Sequence, residues 1–134
     1  MNEYSATKQL ARANRAFYEA FEALDLDAMA AVWATDAVVR CVHPGASMLH
    51  GRERVLASWR AIFQATDAIR FELVDLEMEL HGELACVHLV ERITTTAEGA
   101  EQVGEAVATN LFARQDGAWR LLLHHASPLA RRLE

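Results

Sequence analysis

The stretch Asn110-Leu111-Phe112-Ala113-Arg114-Gln115-Asp116-Gly117-Ala118-Trp119-Arg120-Leu121-Leu122-Leu123-His124-His125 decides how this chain folds. Asp-Gly supplies the two positive φ angles of a tight type I′ turn, so the flanking residues read as an antiparallel hairpin. With a two-residue turn, Gln115 opposes Ala118 and Phe112 opposes Leu121. Carried backwards, the same register sets Asn110 against Leu123 and Ala108 against His125. Adjacent strand residues point to opposite faces. Asn110, Phe112, Leu121, Leu123 and His125 are therefore expected on one face, with Thr109, Leu111, Leu122 and His124 on the other. The first set is apolar with one amide and one imidazole, the anatomy of a small-molecule site. A register slip exchanges the two sets wholesale.

Outward from the hairpin, the period of two continues over Ile69 to Leu80, Leu84 to Thr96, Val103 to Arg114 and Trp119 to Ser127. The separators are His81-Gly82, Ala97 to Gln102, and Asp116-Gly117. The first half has a different rhythm. Leu10, Ala13, Phe17, Ala20 or Phe21, and Leu24 recur at steps of three and four, one stripe of an amphipathic helix. Asp25 offers a capping oxygen to a second helix carrying Met29, Val32 and Trp33. Ala37 to Val42 reads as a short strand, ended by the Pro44-Gly45 turn. Val55, Trp59, Ile62 and Phe63 mark a third helix. Helices followed by long antiparallel strands predict an α+β fold, a curved sheet covered on its concave face and enclosing a conical hollow.

The chain has 134 residues, 13 basic and 19 acidic, for a net charge of −6. That length suits one domain, residues 1–134, with no linker or internal repeat. The acidic balance excludes a general nucleic-acid binder, which needs a concentrated basic footprint, and the Arg131-Arg132 tip is too short to supply one. No secretory signal is visible, and the longest apolar run, Ala28 to Ala34, is far below the ~20 residues that span a bilayer. A cytoplasmic protein is the expectation. Cys41 and Cys86 read as reduced core thiols, and neither has a second cysteine at metal-ligand spacing. No two histidines lie at i, i+4 on a helix, so neither a metal nor another cofactor is expected.

Several pieces then fall into a familiar order: Trp33-Ala34-Thr35-Asp36-Ala37-Val38, Cys41-Val42-His43-Pro44-Gly45, Leu49-His50-Gly51-Arg52 with Ser58-Trp59, Asp116-Gly117-Ala118-Trp119-Arg120 and His124-His125-Ala126-Ser127-Pro128. In these the chain resembles the NTF2-like (ketosteroid-isomerase-like) superfamily, in particular its SnoaL-like and DUF4440-type bacterial members, over roughly residues 7 to 128. The resemblance implies the cone-shaped cystatin-like fold, with three helices on a curved sheet. It also implies a pocket between sheet and helices, and homodimers through the open sheet face. The superfamily holds isomerases, cyclases, dehydratases, epoxide hydrolases and non-catalytic association domains, so the fold leaves the reaction open.

Two histidines are the acid-base candidates. His43 sits beside a turn that this fold places near the pocket mouth, and its imidazole can act near pH 7 or simply anchor the turn. His125 is the inward imidazole of the hairpin register, or a buried histidine paired with backbone or Ser127. Tyr18, Trp33, Trp59 and Phe63 lie on helical stripes facing the sheet, as core or as pocket lining. Ketosteroid-isomerase chemistry needs a carboxylate in an apolar cavity. Glu91, flanked by Leu89, Val90 and Ile93, is the strand acid that best fits, whereas the Asp-Tyr-Asp and Asp-Arg-Asp sets of known members are not found. Glu91, Asn110 and Phe112 join the substrate-binding candidates. Two functions follow: a small-molecule isomerase, cyclase or dehydratase using histidine, or a non-catalytic ligand-binding or dimeric assembly module.

Overall fold

The structure is a computed structural model and describes residues 2–129, so the Arg131-Arg132 tip lies outside the described residues. Helix α1 (Glu3–Glu22) is opened by Asn2, whose side chain accepts the Ser5 N–H at 2.8 Å. Leu10, Phe17 and Ala20 of its stripe are buried, and so are the polar Asn14 and the phenol of Tyr18. Leu24 takes φ 52° and turns the chain into α2 (Leu26–Val32). Asp25 caps that helix as expected, accepting the Ala28 N–H at 3.0 Å. Trp33 lies one residue past the helix and bridges to Leu121.

The short strand is β1 (Arg40–Val42), narrower than the expected Ala37 to Val42. Pro44 and Gly45 form the turn, with Gly45 at φ 77° and the Ala46 N–H bonded to the His43 carbonyl at 2.9 Å. A two-residue strand, β2 (Leu49–His50), then pairs with β1. Two residues are too few to show a period, which is why the sequence does not announce it. Helix α3 (Arg52–Gln64) buries Val55 and Trp59.

Four long strands follow: β3 (Ala68–His81), β4 (Leu84–Ala97), β5 (Ala100–Gln115) and β6 (Ala118–Pro128). With β1 and β2 they make one sheet of order β2-β1-β6-β5-β4-β3, in which β1 runs parallel to β6. The β4–β5 separator is shorter than expected, because only Glu98 and Gly99 lie between the paired Ala97 and Ala100. Glu98 sits there at φ 52°, a left-handed conformation that a glutamate does not advertise.

Two β-bulges bend the sheet. One lies in β3 between Val74 and Glu77, with Asp75 at φ 54°. The other lies in β6, where Phe112 opposes Leu121 but Leu111 opposes Leu123, leaving Leu122 as the extra residue. Bulges increase local twist and bend a strand. The helices cover the inner face, which carries Ala85, Val87, Leu89, Ala106, Ala108, Phe112, Leu121 and Ala126, all buried.

Asp116 and Gly117 adopt φ 51° and 78°, the type I′ pair expected of Asp-Gly. Replacing Gly117 by Ala puts a Cβ into the left-handed region, where non-glycine residues cost about 1–2 kcal/mol. The expected outcome is a lower urea midpoint with an unchanged slope.

Candidate functional site

Helix α1 and strands β4, β5 and β6 each send polar side chains into the cone. Asn14 and Tyr18, one turn apart on α1, face the sheet. Glu91 comes from β4 and Asn110 from β5. His124 comes from β6, directly opposite Asn110. All five are 3% exposed or less.

Their hydrogen bonds have one direction. His124 Nδ1 lies 2.6 Å from Asn110 Oδ1, an amide oxygen that only accepts, so Nδ1 carries the proton. Asn110 Nδ2 donates to Asn14 Oδ1 at 2.9 Å and to the Tyr18 hydroxyl at 3.2 Å. Tyr18 in turn donates to Glu91 Oε2 at 2.5 Å. Each donor polarises the next, and the chain terminates on the carboxylate.

Burial sets the charge states. Glu91 is pushed up from 4.5 to about 7 by loss of water, against the Tyr18 bond, which favours the ionised form. His124 is pushed down to about 3 by burial, then by the fields of His43 and His125, so its imidazole is neutral. Tyr18 is raised well above 10 by burial and then by the Glu91 charge, which keeps the phenol a donor. Burial and then Glu91 lift the Cys41 thiol to about 12, so it stays protonated.

Around the polar chain the walls are aromatic. Phe17 packs edge-on to Tyr18 and Trp59 at 4.8 and 5.6 Å, and against His124 at 4.8 Å. Phe63 lies 5.9 Å from Trp59, half-buried. Fully buried, Trp59 has no acceptor for its indole N–H among the described residues. Trp33, beside Leu121, is buried too, and its N–H likewise has no acceptor among the described residues. Phe112 is buried between Ala85 and Leu121 in the neighbouring strands, a packing position.

His43 stands on the turn after β1, half-buried, its ring edge-on to Trp59 at 4.7 Å. Its Nε2 lies 2.9 Å from Ser58 Oγ, whose own proton goes to the Val55 carbonyl at 2.6 Å. Ser58 therefore accepts and Nε2 carries the proton, while Nδ1 has the Cys41 sulfur 4.0 Å away. Burial lowers the His43 pKa, so this neutral tautomer holds at pH 7.

Of the expected site residues, the structure brings together Tyr18, Glu91 and Asn110, with Trp59, Phe63 and His43 nearby. It corrects His125. Leu122 is an extra residue in β6, so the parity of everything after it inverts. His124 faces Asn110 inside, and His125 lies exposed on the outer face opposite Thr109. Leu123, expected inside, moves to the outer side with it. Sequence reasoning also missed Asn14 and Ser58. Asn14 had a signal: a polar residue four after Leu10 and four before Tyr18, on an otherwise apolar stripe. Arg92 pairs across the strands with Glu72 and Glu105, both at 3.0 Å.

Near the mouth, Pro44, Ile93, Gly104, Ala106 and Pro128 line an open depression of about 210 Å³. Ala106 is the cross-strand neighbour of Glu91, although Glu91 itself does not line the depression. Among the described residues, no group of three or more His, Cys, Asp or Glu is placed to hold a metal ion. No described helix is long and apolar enough to cross a membrane.

Tyr18→Phe removes the donor that holds Glu91 ionised, so the carboxyl titrates above its present value near 7. The loss of one buried charge-assisted bond costs about 1.5–3 kcal/mol. Carboxyl carbon shifts followed against pH check the first, and urea unfolding the second.

Three helices on a curved six-stranded sheet are the α+β fold of the NTF2-like class. Residues 10–131 match the SnoaL-like domain family, and the chain belongs to that family. It is similar to a candidate dehydratase of the NTF2-like family from Streptomyces avermitilis, at 37% identity and a TM-score of 0.93, over 97% of this chain and 100% of that one. It is also similar to a candidate calcium/calmodulin-dependent protein kinase type II association domain from Thiobacillus denitrificans, at 41% identity and a TM-score of 0.79, over 88% of this chain and 93% of that one. Among curated proteins it is 23% identical to the F-box protein SKIP8 of Arabidopsis thaliana over 92% of its own length. The chain spans about half, 51%, of that relative.

Proposed function

We propose that this protein binds a small carbonyl compound inside the cone and moves a proton on it, with Glu91 as the acid-base group. The observation that carries this reading is a carboxyl poised at about 7 at the end of a one-way donor chain in an apolar interior. A general base works best when its pKa lies near the working pH. Taking a C–H proton next to a carbonyl sends the C–H electron pair into an enolate and leaves the proton on Glu91. Returning that proton to another carbon is an isomerisation, and loss of a β-hydroxyl as water is a dehydration. The Trp59 N–H, without an acceptor among the described residues, is a ready donor for the enolate oxygen, and His43 stands edge-on to the same indole as a second acid-base group. The likeness to a candidate dehydratase supports the same class. Acid-base work thus shifts from histidine to glutamate, with His43 in support and His125 outside the cone.

The direct test is carbon-bound hydrogen exchange in D2O, read by NMR over small ketones and 3-hydroxycarbonyl compounds. Catalysed exchange of the proton α to the carbonyl supports the reading. Its absence across that panel removes it. The second reading, a dimeric assembly module, draws on the likeness to an association domain and on Leu76 of β3 and Val103 and Val107 of β5, all exposed. A stable homodimer without exchange activity favours it.

A further inference from the structure

Beside the β5–β6 hairpin turn, away from the Glu91 chain, helix α1, the end of α2 and the start of β6 line an open groove of about 330 Å³. Its apolar surface comes from Ala13, Ala16, Val32 and Trp119. Arg12 and Arg120 stand in its walls, with Gln9 beside them. Trp119 is held by its N–H, which donates to the Ala6 carbonyl at 3.3 Å. The same ring borders a second depression, where the Arg114 guanidinium lies over it at 4.6 Å.

The charge here runs against the rest of the molecule. The chain carries −6 overall, yet between Glu3 and Glu19 the sequence has Lys8, Arg12 and Arg15 and no acid. Among the described residues neither Arg12 nor Arg120 is paired with a carboxylate. Arg120 makes one long bond, 3.4 Å, to the Ala31 carbonyl. Two guanidinium groups without a carboxylate partner among the described residues, over an apolar floor, match a ligand with an anionic head and a hydrocarbon body. Arginine's planar fork suits a carboxylate. The volume is at the low end of the roughly 300–1,000 Å³ of small-molecule sites.

We propose that this groove is a second binding site, for a small amphipathic carboxylate: the head on Arg12 and Arg120, the body on Ala13, Ala16, Val32 and Trp119. It is independent of the proton-transfer reading. The test follows the Trp119 indole N–H by NMR in the full chain while 4-phenylbutyrate is added, with 4-phenylbutanol as the uncharged match. The expected result is a saturable shift at Trp119 that weakens at least tenfold in the Arg12→Gln/Arg120→Gln double variant. It also weakens when salt rises from 0.15 to 0.5 M, and it persists in Glu91→Gln. Equal affinity for the alcohol, or unchanged binding by the double variant, overturns the proposal. So does a response confined to Trp59 or lost in Glu91→Gln, which places the ligand inside the cone. Stronger competition by an acidic peptide than by the small carboxylate overturns it in favour of a protein partner.

Discussion

Glu91→Gln is expected to abolish carbon-hydrogen exchange while the fold remains. The amide keeps the length of the side chain, and its oxygen still accepts the Tyr18 hydroxyl, so the donor chain from His124 through Asn110 stays closed. What disappears is a group able to hold a proton. General acid-base catalysis supplies about 10²–10⁴-fold, and the exchange rate falls by at least the lower figure. His43→Ala, by contrast, lowers the rate less and leaves the Glu91 limb of the pH profile in place. If Glu91→Gln retains the full rate, the carboxyl is a structural group and the reaction belongs elsewhere.

The second large effect concerns stability. Glu91 binds its proton more tightly folded (about 7) than at the ordinary value of 4.5, so its contribution is complete below pH 4.5 and is lost as pH rises to 7. At about 1.4 kcal/mol per pH unit this amounts to about 3 kcal/mol. His124 does the opposite. Its folded value of about 3 lies below 6.5, so its contribution is complete above pH 6.5 and is lost as pH falls to 3, about 5 kcal/mol in all. Between pH 4.5 and 6.5 the folded chain therefore keeps one proton on Glu91 while the unfolded chain keeps one on residue 124. For this pair the proton count is the same and the slope is near zero. Glu91→Gln unmasks it. Relative to wild type the variant gains about 3 kcal/mol as pH rises from 4.5 to 7. Chemical unfolding of both proteins at pH 4.5, 5.5, 6.5 and 7.5 measures the difference. A difference constant with pH shows that Glu91 titrates as an exposed carboxyl.

The hairpin shows where sequence is informative and where it stops. Asp116-Gly117 sets its own turn, and the pairings of Gln115 with Ala118 and Phe112 with Leu121 follow from it. Those pairings are local. The bulge at Leu122 is not, because three consecutive leucines are equally apolar and nothing among them marks one as surplus. What fixes it is tertiary: a curved wall, and β1 lying beside β6 with Cys41 against His124. The face of Asn110 was therefore legible and that of the two histidines was not. Glu91 was legible because Leu89, Val90 and Ile93 surround it in the chain. Its partner Tyr18 lies 73 residues away, a distance no local pattern bridges.

The surplus leucine absorbs a length difference between two neighbouring strands. Excising Leu122 leaves Leu121 opposite Phe112 and Leu123 opposite Leu111, so His124 still meets Asn110 and His125 stays outside. A single-codon deletion there straightens the strand, because the bend goes with the bulge, while the interior keeps the same imidazole. In a lineage, loss of that one residue therefore reshapes the wall of the cavity and spares its chemistry.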